Sequence, residues 1–171
     1  MKRIICAFVA LGGILFAQGQ GFRMEWAQGI GNLGNNGTDQ TFQIASDSKG
    51  NVFFTGYYSN TVDFNPSPQV IENRTSHGNK DLFILKLDST GTFKRVLTTG
   101  GRNTDQTEAI SIDANDHVYL AGYFLDTSDF DPGPAQDLHI SNGLTDAFIL
   151  KLDSSGQLIR AHSFGGQVMR I

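Results

Sequence analysis

A segment of about 66 residues occurs twice in this chain of 171 residues, and this repeat restricts the fold more than any other feature of the sequence. DFNPSP at 63–68 returns as DFDPGP at 129–134. FILKLDS at 83–89 returns unchanged at 148–154, shifted by 65 instead of 66, so one residue is lost between the copies. A fixed period of this length indicates a supersecondary unit that packs on copies of itself.

Four short turns of one form divide the copies into pairs of strands. Each turn begins with an aspartate, whose side chain can accept a hydrogen bond from the backbone two residues further on. Three turns have glycine at the fourth position, where a positive φ closes a hairpin, and the remaining turn has an aspartate there. Apolar, β-favouring runs flank the turns, which is the pattern of hairpins with short loops. The turn residues are Asp47, Gly50, Asp88, Gly91, Asp113, Asp116, Asp153 and Gly156.

Two such turns in each copy predict four antiparallel strands, at about 107–112, 117–124, 147–152 and 158–164 in the second copy. The second strand of each copy is almost continuously apolar, which is typical of a strand covered on both faces. We therefore predict an all-β fold, a partial β-propeller of two four-stranded blades plus one leading strand, WAQGIG. A β-sandwich or another stacked β-repeat is the alternative.

The N-terminus predicts a signal peptide over residues 1–19. A basic MKR precedes an apolar run of fourteen residues, and Ala17 and Gly19 stand where a signal peptidase requires small residues. The run is shorter than the roughly 20 residues of a membrane span. Cleavage would leave residues 20–171 as the repeat region, with the first copy at about 38–103 and the second at about 104–166. We expect an exported protein, either secreted or held at the cell surface.

Charge and cysteine content restrict the partners of this exported chain. Cleavage would remove Cys6, the single cysteine, so packing instead of disulfides must stabilise the mature chain. It would also remove Lys2 and Arg3 and take the formal net charge from −4 to −6. An acidic chain of this kind is not expected to bind nucleic acid or anionic membranes.

The ordered set of residues resembles the bacterial β-propeller repeat called SBBP. Its elements are an Asp–Gly–Asn–Val–Tyr-like hairpin, a Thr–Gly–Tyr, an Asp–Phe, and an Asp–Ala–Phe–(apolar)–Lys–Leu–Asp run followed by Gly. The resemblance implies a propeller in a secreted or surface bacterial protein, without a defined reaction. The matching residues of the first copy are Asp47, Gly50, Asn51, Val52, Thr55, Gly56, Tyr57, Asp63, Phe64, Asp81, Phe83, Lys86, Leu87, Asp88 and Gly91. Those of the second copy are Asp113, Val118, Tyr119, Gly122, Tyr123, Asp129, Phe130, Asp146, Ala147, Phe148, Lys151, Leu152, Asp153 and Gly156.

Two copies are fewer than the about 4–8 blades that close a propeller. We therefore expect the chain to be a fragment of a longer protein, with the missing blades of the same propeller among its partners. Its outer blade faces are expected to be apolar and uncovered, so that residues 20–171 alone would be oligomeric, prone to aggregation or only marginally folded.

The DFxPxP segment is expected at the end of each blade opposite the aspartate turns, where long loops and binding sites usually lie. Phe64 and Phe130 are expected to fill the blade end, while the prolines fix φ and stop the strand. A calcium site is the alternative, because Asp126, Asp129 and Asp131 supply hard oxygens within one segment. The first copy keeps one of these carboxylates, so the turn interpretation is favoured and no cofactor or metal site is assigned.

No catalytic or cofactor-binding residue is assigned from the sequence, which has neither a G-x-S-x-G motif nor a phosphate-binding loop. We favour a noncatalytic scaffold for protein or glycan contacts. The alternative is part of a propeller enzyme, a hydrolase or lyase that acts on extracellular glycans. Such a hydrolase would need two carboxylates about 5–10 Å apart, and the sequence does not fix the relative positions of the candidates. These are Asp39, Asp63, Asp105 and Asp129.

Overall fold

The computed structural model describes residues 26–32 and 38–166, and these residues form thirteen β-strands. The described part of the chain contains no helix, so nothing in it could cross a membrane as one. The all-β fold predicted from the repeat is confirmed. The signal peptide predicted at residues 1–19 and its cleavage site lie outside the described residues.

The first copy forms a four-stranded antiparallel sheet, and a short separate hairpin lies in the connection between the second and third strands of that sheet. A two-residue leading strand, β1, precedes the copy. β2, β3, β6 and β7 pair in that order, and β4 and β5 form the hairpin between β3 and β6. The strands are β1 (Gly31–Asn32), β2 (Asp39–Ser46), β3 (Val52–Tyr58), β4 (Thr61–Asp63), β5 (Asn73–Thr75), β6 (Asp81–Leu87) and β7 (Phe93–Gly101).

The second copy repeats this arrangement. β8, β9, β12 and β13 form its sheet, and the hairpin of β10 and β11 is inserted between β9 and β12. The sequence did not predict either inserted hairpin, because its strands are only three residues long. The strands are β8 (Asp105–Ile112), β9 (Val118–Phe124), β10 (Thr127–Asp129), β11 (Leu138–Ile140), β12 (Asp146–Leu152) and β13 (Leu158–Phe164).

Backbone pairing links each copy to the strand before it. The last residues of β7 continue beyond the first sheet and pair with β10 of the second copy, Gly100 opposite Asp129. Gly31 of the leading strand stands in the same way opposite Asp63 of the first copy. The leading strand is shorter than WAQGIG, because residues 26–30 have no ladder partner within the described chain.

Each sheet buries one face in its own apolar core, and the part of the chain that precedes the sheet covers the other side of that core. In the second copy, Leu120, Phe148 and Leu150 form the core, and Phe53 and Ile84 of the first sheet cover it. The leading segment closes the core of the first copy in the same way, with Trp26 and Ile30 packed against Phe54, Phe83 and Leu85. The two copies are therefore stacked, as propeller blades are.

No other described element covers the second face of the second sheet. Ile84 and Ile149 occupy the same position of the identical FILKLDS segments, yet their exposed fractions are 3% and 47%. The uncovered face is only partly apolar, contrary to expectation, because three of its positions carry smaller or more polar side chains than the first sheet. Tyr119, Ala147 and His162 replace Phe53, Leu82 and Leu97.

The four aspartate turns share one hydrogen-bonding pattern. In the second turn, Oδ1 of Asp88 accepts the N–H groups of Thr90 at 2.9 Å and Thr92 at 3.1 Å. The other three turn aspartates accept from the equivalent N–H groups. The hydrogen bonds from Thr90, foremost that of its hydroxyl, lower the pKa of Asp88 to about 2. The fourth turn residues have positive φ: 78° at Gly50, 82° at Gly91, 61° at Asp116 and 86° at Gly156.

Valine at Gly91 or Gly156 is expected to lower the melting temperature more than alanine at Ser89 or Ser154. A β-branched residue at positive φ costs on the order of 1–3 kcal/mol, and at Gly91 the new Cβ would also lie 2.8 Å from the ring of Trp26. Thermal unfolding of the four single variants checks this. Equal melting temperatures for the valine and alanine variants would show that the turns tolerate a side chain there.

Candidate functional site at the junction of the two repeats

Two buried aspartates meet where the two sheets join, at the end of the blades opposite the aspartate turns. Asp81 begins β6 of the first sheet and Asp105 begins β8 of the second, and each side chain has an exposed fraction of 0%. A parallel bridge between Lys80 and Thr104 holds these strand starts side by side. The Asp105 N–H donates to the Lys80 carbonyl at 2.8 Å, which fixes the second sheet against the first.

Hydrogen bonds satisfy one oxygen of each carboxyl and leave the other without a partner. Oδ2 of Asp81 accepts the His77 N–H at 2.9 Å, and Oδ2 of Asp105 accepts the Gly101 N–H at 2.6 Å. Both Oδ1 atoms are buried and have no hydrogen-bond partner in the described part of the chain. The two carboxyls are close together. A Cβ on Gly100 would lie 2.9 Å from Asp81 Oδ1 and 2.9 Å from Asp105 Oδ2, so this position has no room for a side chain.

The surroundings of this acid pair raise the pKa of both carboxyls. Burial raises the pKa of Asp105 to about 6, against the hydrogen bond from Gly101, and the negative charge of Asp81 adds to the rise. Burial also raises the pKa of Asp81, against the hydrogen bonds from His77. Both shifts follow from removing a carboxylate from water, which penalises the charged form.

Two buried hydroxyl groups surround the acid pair. Tyr58 pairs with Asp81 across β3 and β6, and burial raises the pKa of its phenol to about 12. Ser128 pairs with Gly101 across β7 and β10, and its hydroxyl lies beside the Asp105 carboxyl without a well-formed hydrogen bond. The equivalent positions in the other copy are Phe124 and Val62, so these hydroxyls belong to this junction alone among the described positions.

The DFxPxP segments close the inserted loops and seal the blade ends. Oδ1 of Asp129 accepts the N–H groups of Asp131 at 3.0 Å and Asp137 at 2.9 Å, and Asp63 does the same in the first copy. Phe130 is fully buried, with its ring 4.6 Å from that of Phe148. Phe64 is equally buried against Phe83. The segment therefore occurs twice because each blade needs the same closure.

The three calcium candidates serve in separate local hydrogen bonds. Asp131 accepts the Gly133 N–H at 2.7 Å, Asp129 accepts across the loop, and Asp126 lies in a turn with a φ of 63°. Within residues 26–32 and 38–166, no group of three or more His, Cys, Asp or Glu side chains is arranged to hold a metal ion.

The structure brings together one pair of acids that the sequence did not connect. Asp105 meets Asp81, whereas Asp63 ends β4 and Asp129 ends β10, in the inserted hairpins of different copies. Asp39, the first-copy equivalent of Asp105, lines a cavity of about 160 Å³ together with Ile30 and Phe64. The available signal was an aspartate at the start of each FILKL-type strand, Asp81 in β6 and Asp146 in β12. The sequence did not identify Asp105 as the partner of Asp81, because the two residues belong to different sheets.

An apolar patch on the second inserted hairpin departs from the repeat. Leu138 and Ile140 on β11 have exposed fractions of 57% and 67%, and Leu144 shortly after them is 76% exposed. The first copy has polar residues at the equivalent positions, Asn73, Thr75 and Asn79. β11 is also the edge of its sheet, so the patch borders a free strand edge.

Comparison with known proteins supports the propeller-type repeat. The chain is 31% identical over 153 residues to the uncharacterized WD repeat-containing protein L264 of Acanthamoeba polyphaga mimivirus. The match covers 77% of this chain but 11% of the mimivirus protein, so the chain spans about a tenth of that relative. No family model matches the chain, so the SBBP resemblance rests on the residues quoted above, and the viral relative does not support a bacterial origin. The relative and the stacked antiparallel sheets together indicate a propeller-type repeat protein.

Calcium is expected to have little effect on stability, because Asp126, Asp129 and Asp131 act in separate turns instead of one coordination sphere. Thermal melts in micromolar calcium and in chelator should nearly coincide, and Asp131→Asn, which installs the first-copy residue Asn65, should not change this. A rise of many degrees with calcium that is lost in Asp131→Asn would contradict the expectation, because a ligand of the native state must raise its stability.

Proposed function

We propose that this chain is a noncatalytic β-propeller module of an exported protein, secreted or at the cell surface, and that it serves as a scaffold for contacts with other proteins. The apolar patch of Leu138, Ile140 and Leu144 carries this proposal. Isolated exposed aliphatic residues are ordinary on protein surfaces, but a cluster bordered by polar residues is typical of protein contacts.

The comparison between the copies strengthens this interpretation of the patch. Ring closure does not explain the patch, because β5 of the first copy has polar, exposed residues at the equivalent positions although a second sheet follows it. The exposed aliphatic residues of the first hairpin, Val70 and Ile71, lie before β5. A purely structural role would leave both hairpins alike. Leucine and isoleucine at a free strand edge are also a liability for aggregation unless a partner covers them.

The uncovered face of the second sheet supports a second kind of partner, a further sheet of the same propeller. Ile149 on this face matches Ile84, which the second sheet covers. Blades of this kind bury their faces against neighbours, so the missing blades would occupy this surface. We also propose that the exposed loops contact glycans, and we assign no particular residue to this role.

A propeller enzyme acting on extracellular glycans is the alternative, and the acid pair bears on it. Glycosidases use two carboxyls, one of them with a raised pKa, on either side of the scissile bond. Asp81 and Asp105 have raised pKa values, but both side chains are fully buried and a sugar could not reach them. The scaffold is therefore favoured.

Photo-cross-linking tests the proposed contact surface. A photoreactive amino acid at Ile140 is expected to form an adduct with a second protein in cells that produce this chain. The same amino acid at the equivalent Thr75 is the matched control and should form none. Replacing Leu138 with asparagine, the residue of the first copy, should reduce the adduct at position 140 without lowering the melting temperature. Equal adducts at both positions, or none at position 140, would contradict the proposed surface.

A further inference from the structure

We propose that Asp81 and Asp105 form one proton-binding site, in which a single shared proton latches the first repeat onto the second. When the pair loses that proton, the two sheets repel each other at their junction. The inference goes beyond the scaffold function, because it makes the packing of the two repeats sensitive to pH.

The position of the pair supports the latch. The two carboxyls belong to different sheets and both are fully buried, and among residues 26–32 and 38–166 no hydrogen-bond donor reaches one oxygen of each. The donors from His77 and Gly101 reach only the Oδ2 atoms. Two carboxylates this close in the interior disfavour each other's charge, and a shared proton removes one charge and supplies one of the missing donors.

The groups around the pair indicate which carboxyl takes the proton. His77 donates its N–H to Asp81, and its ring Nδ1 lies 3.0 Å from the same Oδ2, so a protonated ring would favour charge on Asp81. On the side of β10, Asp105 faces Ser128, which is uncharged, and on β3 the hydroxyl of Tyr58 is neutral below its pKa of about 12. The proton therefore belongs mainly to Asp105.

Lys80 does not neutralise the pair, and Arg74, whose charge acts on Tyr58, lies 2.6 Å from the Glu72 carboxylate instead. Lys80 directs its Nζ over the ring of Tyr57, 3.8 Å from the centroid, and away from a direct ion pair. A bound calcium ion is a weaker explanation than a proton, because calcium takes six to eight oxygen ligands. The carboxyls of Asp81 and Asp105 and the hydroxyls of Tyr58 and Ser128 have six oxygens together. The two carboxyl Oδ2 atoms already accept N–H groups, so four oxygens are left, fewer than calcium takes.

The direction of the pH effect follows from the raised pKa of Asp105. Because its pKa is about 6 in the folded protein and 3.8 in the ordinary state, the protonated pair stabilises the fold fully below about pH 4. This stabilisation is lost as the pH rises through about 6. The turn aspartates act oppositely, since their lowered pKa values, about 2 at Asp88 and Asp113, remove stability only at lower pH. The two effects therefore occupy different pH windows.

Thermal unfolding of the purified protein between pH 4.5 and 7 tests the latch. The melting temperature of the wild type is expected to fall over this range by several degrees. The fall corresponds to a loss of at most about a hundredfold in the folding equilibrium constant, tenfold for each unit of pKa shift. Asp105→Asn, a neutral isostere of the protonated acid, should remove most of the fall.

Asp146→Asn is the matched control, because Asp146 is the second-copy equivalent of Asp81 but faces no opposing sheet in the described chain. This variant should keep the fall. Asp81→Asn gives a second readout, because carbon-13 NMR of the aspartate carboxyls should then show a lower Asp105 pKa that still lies above 3.8. This variant also serves if Asp105→Asn does not fold.

Two results would contradict the proposal that Asp81 and Asp105 share one proton. One is an equal fall in the wild type and in Asp105→Asn, together with an Asp105 pKa that Asp81→Asn leaves unchanged. The other is full recovery of the wild-type melting temperature at pH 7 on adding calcium, which would assign a cation to the site. Because none of these measurements depends on a partner protein, their failure would leave the cross-linking test of the scaffold untouched.

Discussion

A four-stranded sheet with apolar residues on both faces cannot be stable alone, and the arrangement of this chain follows from that constraint. β6 carries Leu82 and Ile84 on the face opposite to Phe83 and Leu85, and all four are buried. Phe83 and Leu85 lie in the core of their own copy. Leu82 and Ile84 close the core of the next copy. Burying such side chains contributes about 1.5–3 kcal/mol each relative to exposure. The copies therefore stabilise one another in sequence, each closing the core that follows it.

Polar contacts repeat across the same junctions and fix how the sheets stack. The Arg95 guanidinium donates to the Ser154 carbonyl at 3.1 Å and also to that of Ser155, in the last aspartate turn of the second copy. Trp26 makes the equivalent contact with the first copy, its Nε1 donating to the Ser89 carbonyl at 3.0 Å. Two chemically different side chains, Trp26 and Arg95, thus donate to equivalent turn carbonyls. The stacking of the sheets therefore uses a hydrogen-bond donor at this position and does not depend on one residue type. The acid pair lies at the other end of the same junction, where a change of charge would act on the packing directly.

The sequence was most informative where local chemistry repeats. The aspartate turns, the four main strands of each copy and the burial of Phe64 and Phe130 all depend on residues close together in the chain. The inserted hairpins were missed because three-residue strands such as Thr127–Asp129 carry no periodic signal. Asp81 could not be paired with Asp105, because their proximity depends on how two sheets stack and not on spacing. Uncovered outer faces were expected from the sequence, but the identical heptapeptides around Ile84 and Ile149 did not show which of the two isoleucines a neighbouring sheet covers.

Truncation of these two isoleucines tests most directly the claim that each sheet depends on the next one to cover its second face. Ile84→Ala and Ile149→Ala remove the same atoms from the same heptapeptide. The account predicts a loss of about 2–5 kcal/mol in the free energy of unfolding for Ile84→Ala, as for other buried isoleucines. It predicts a loss of less than about 1 kcal/mol for Ile149→Ala, whose side chain is 47% exposed. Denaturant unfolding of both variants beside the wild type gives the comparison. Equal losses would contradict the account, because they would mean that the second sheet does not stabilise the first.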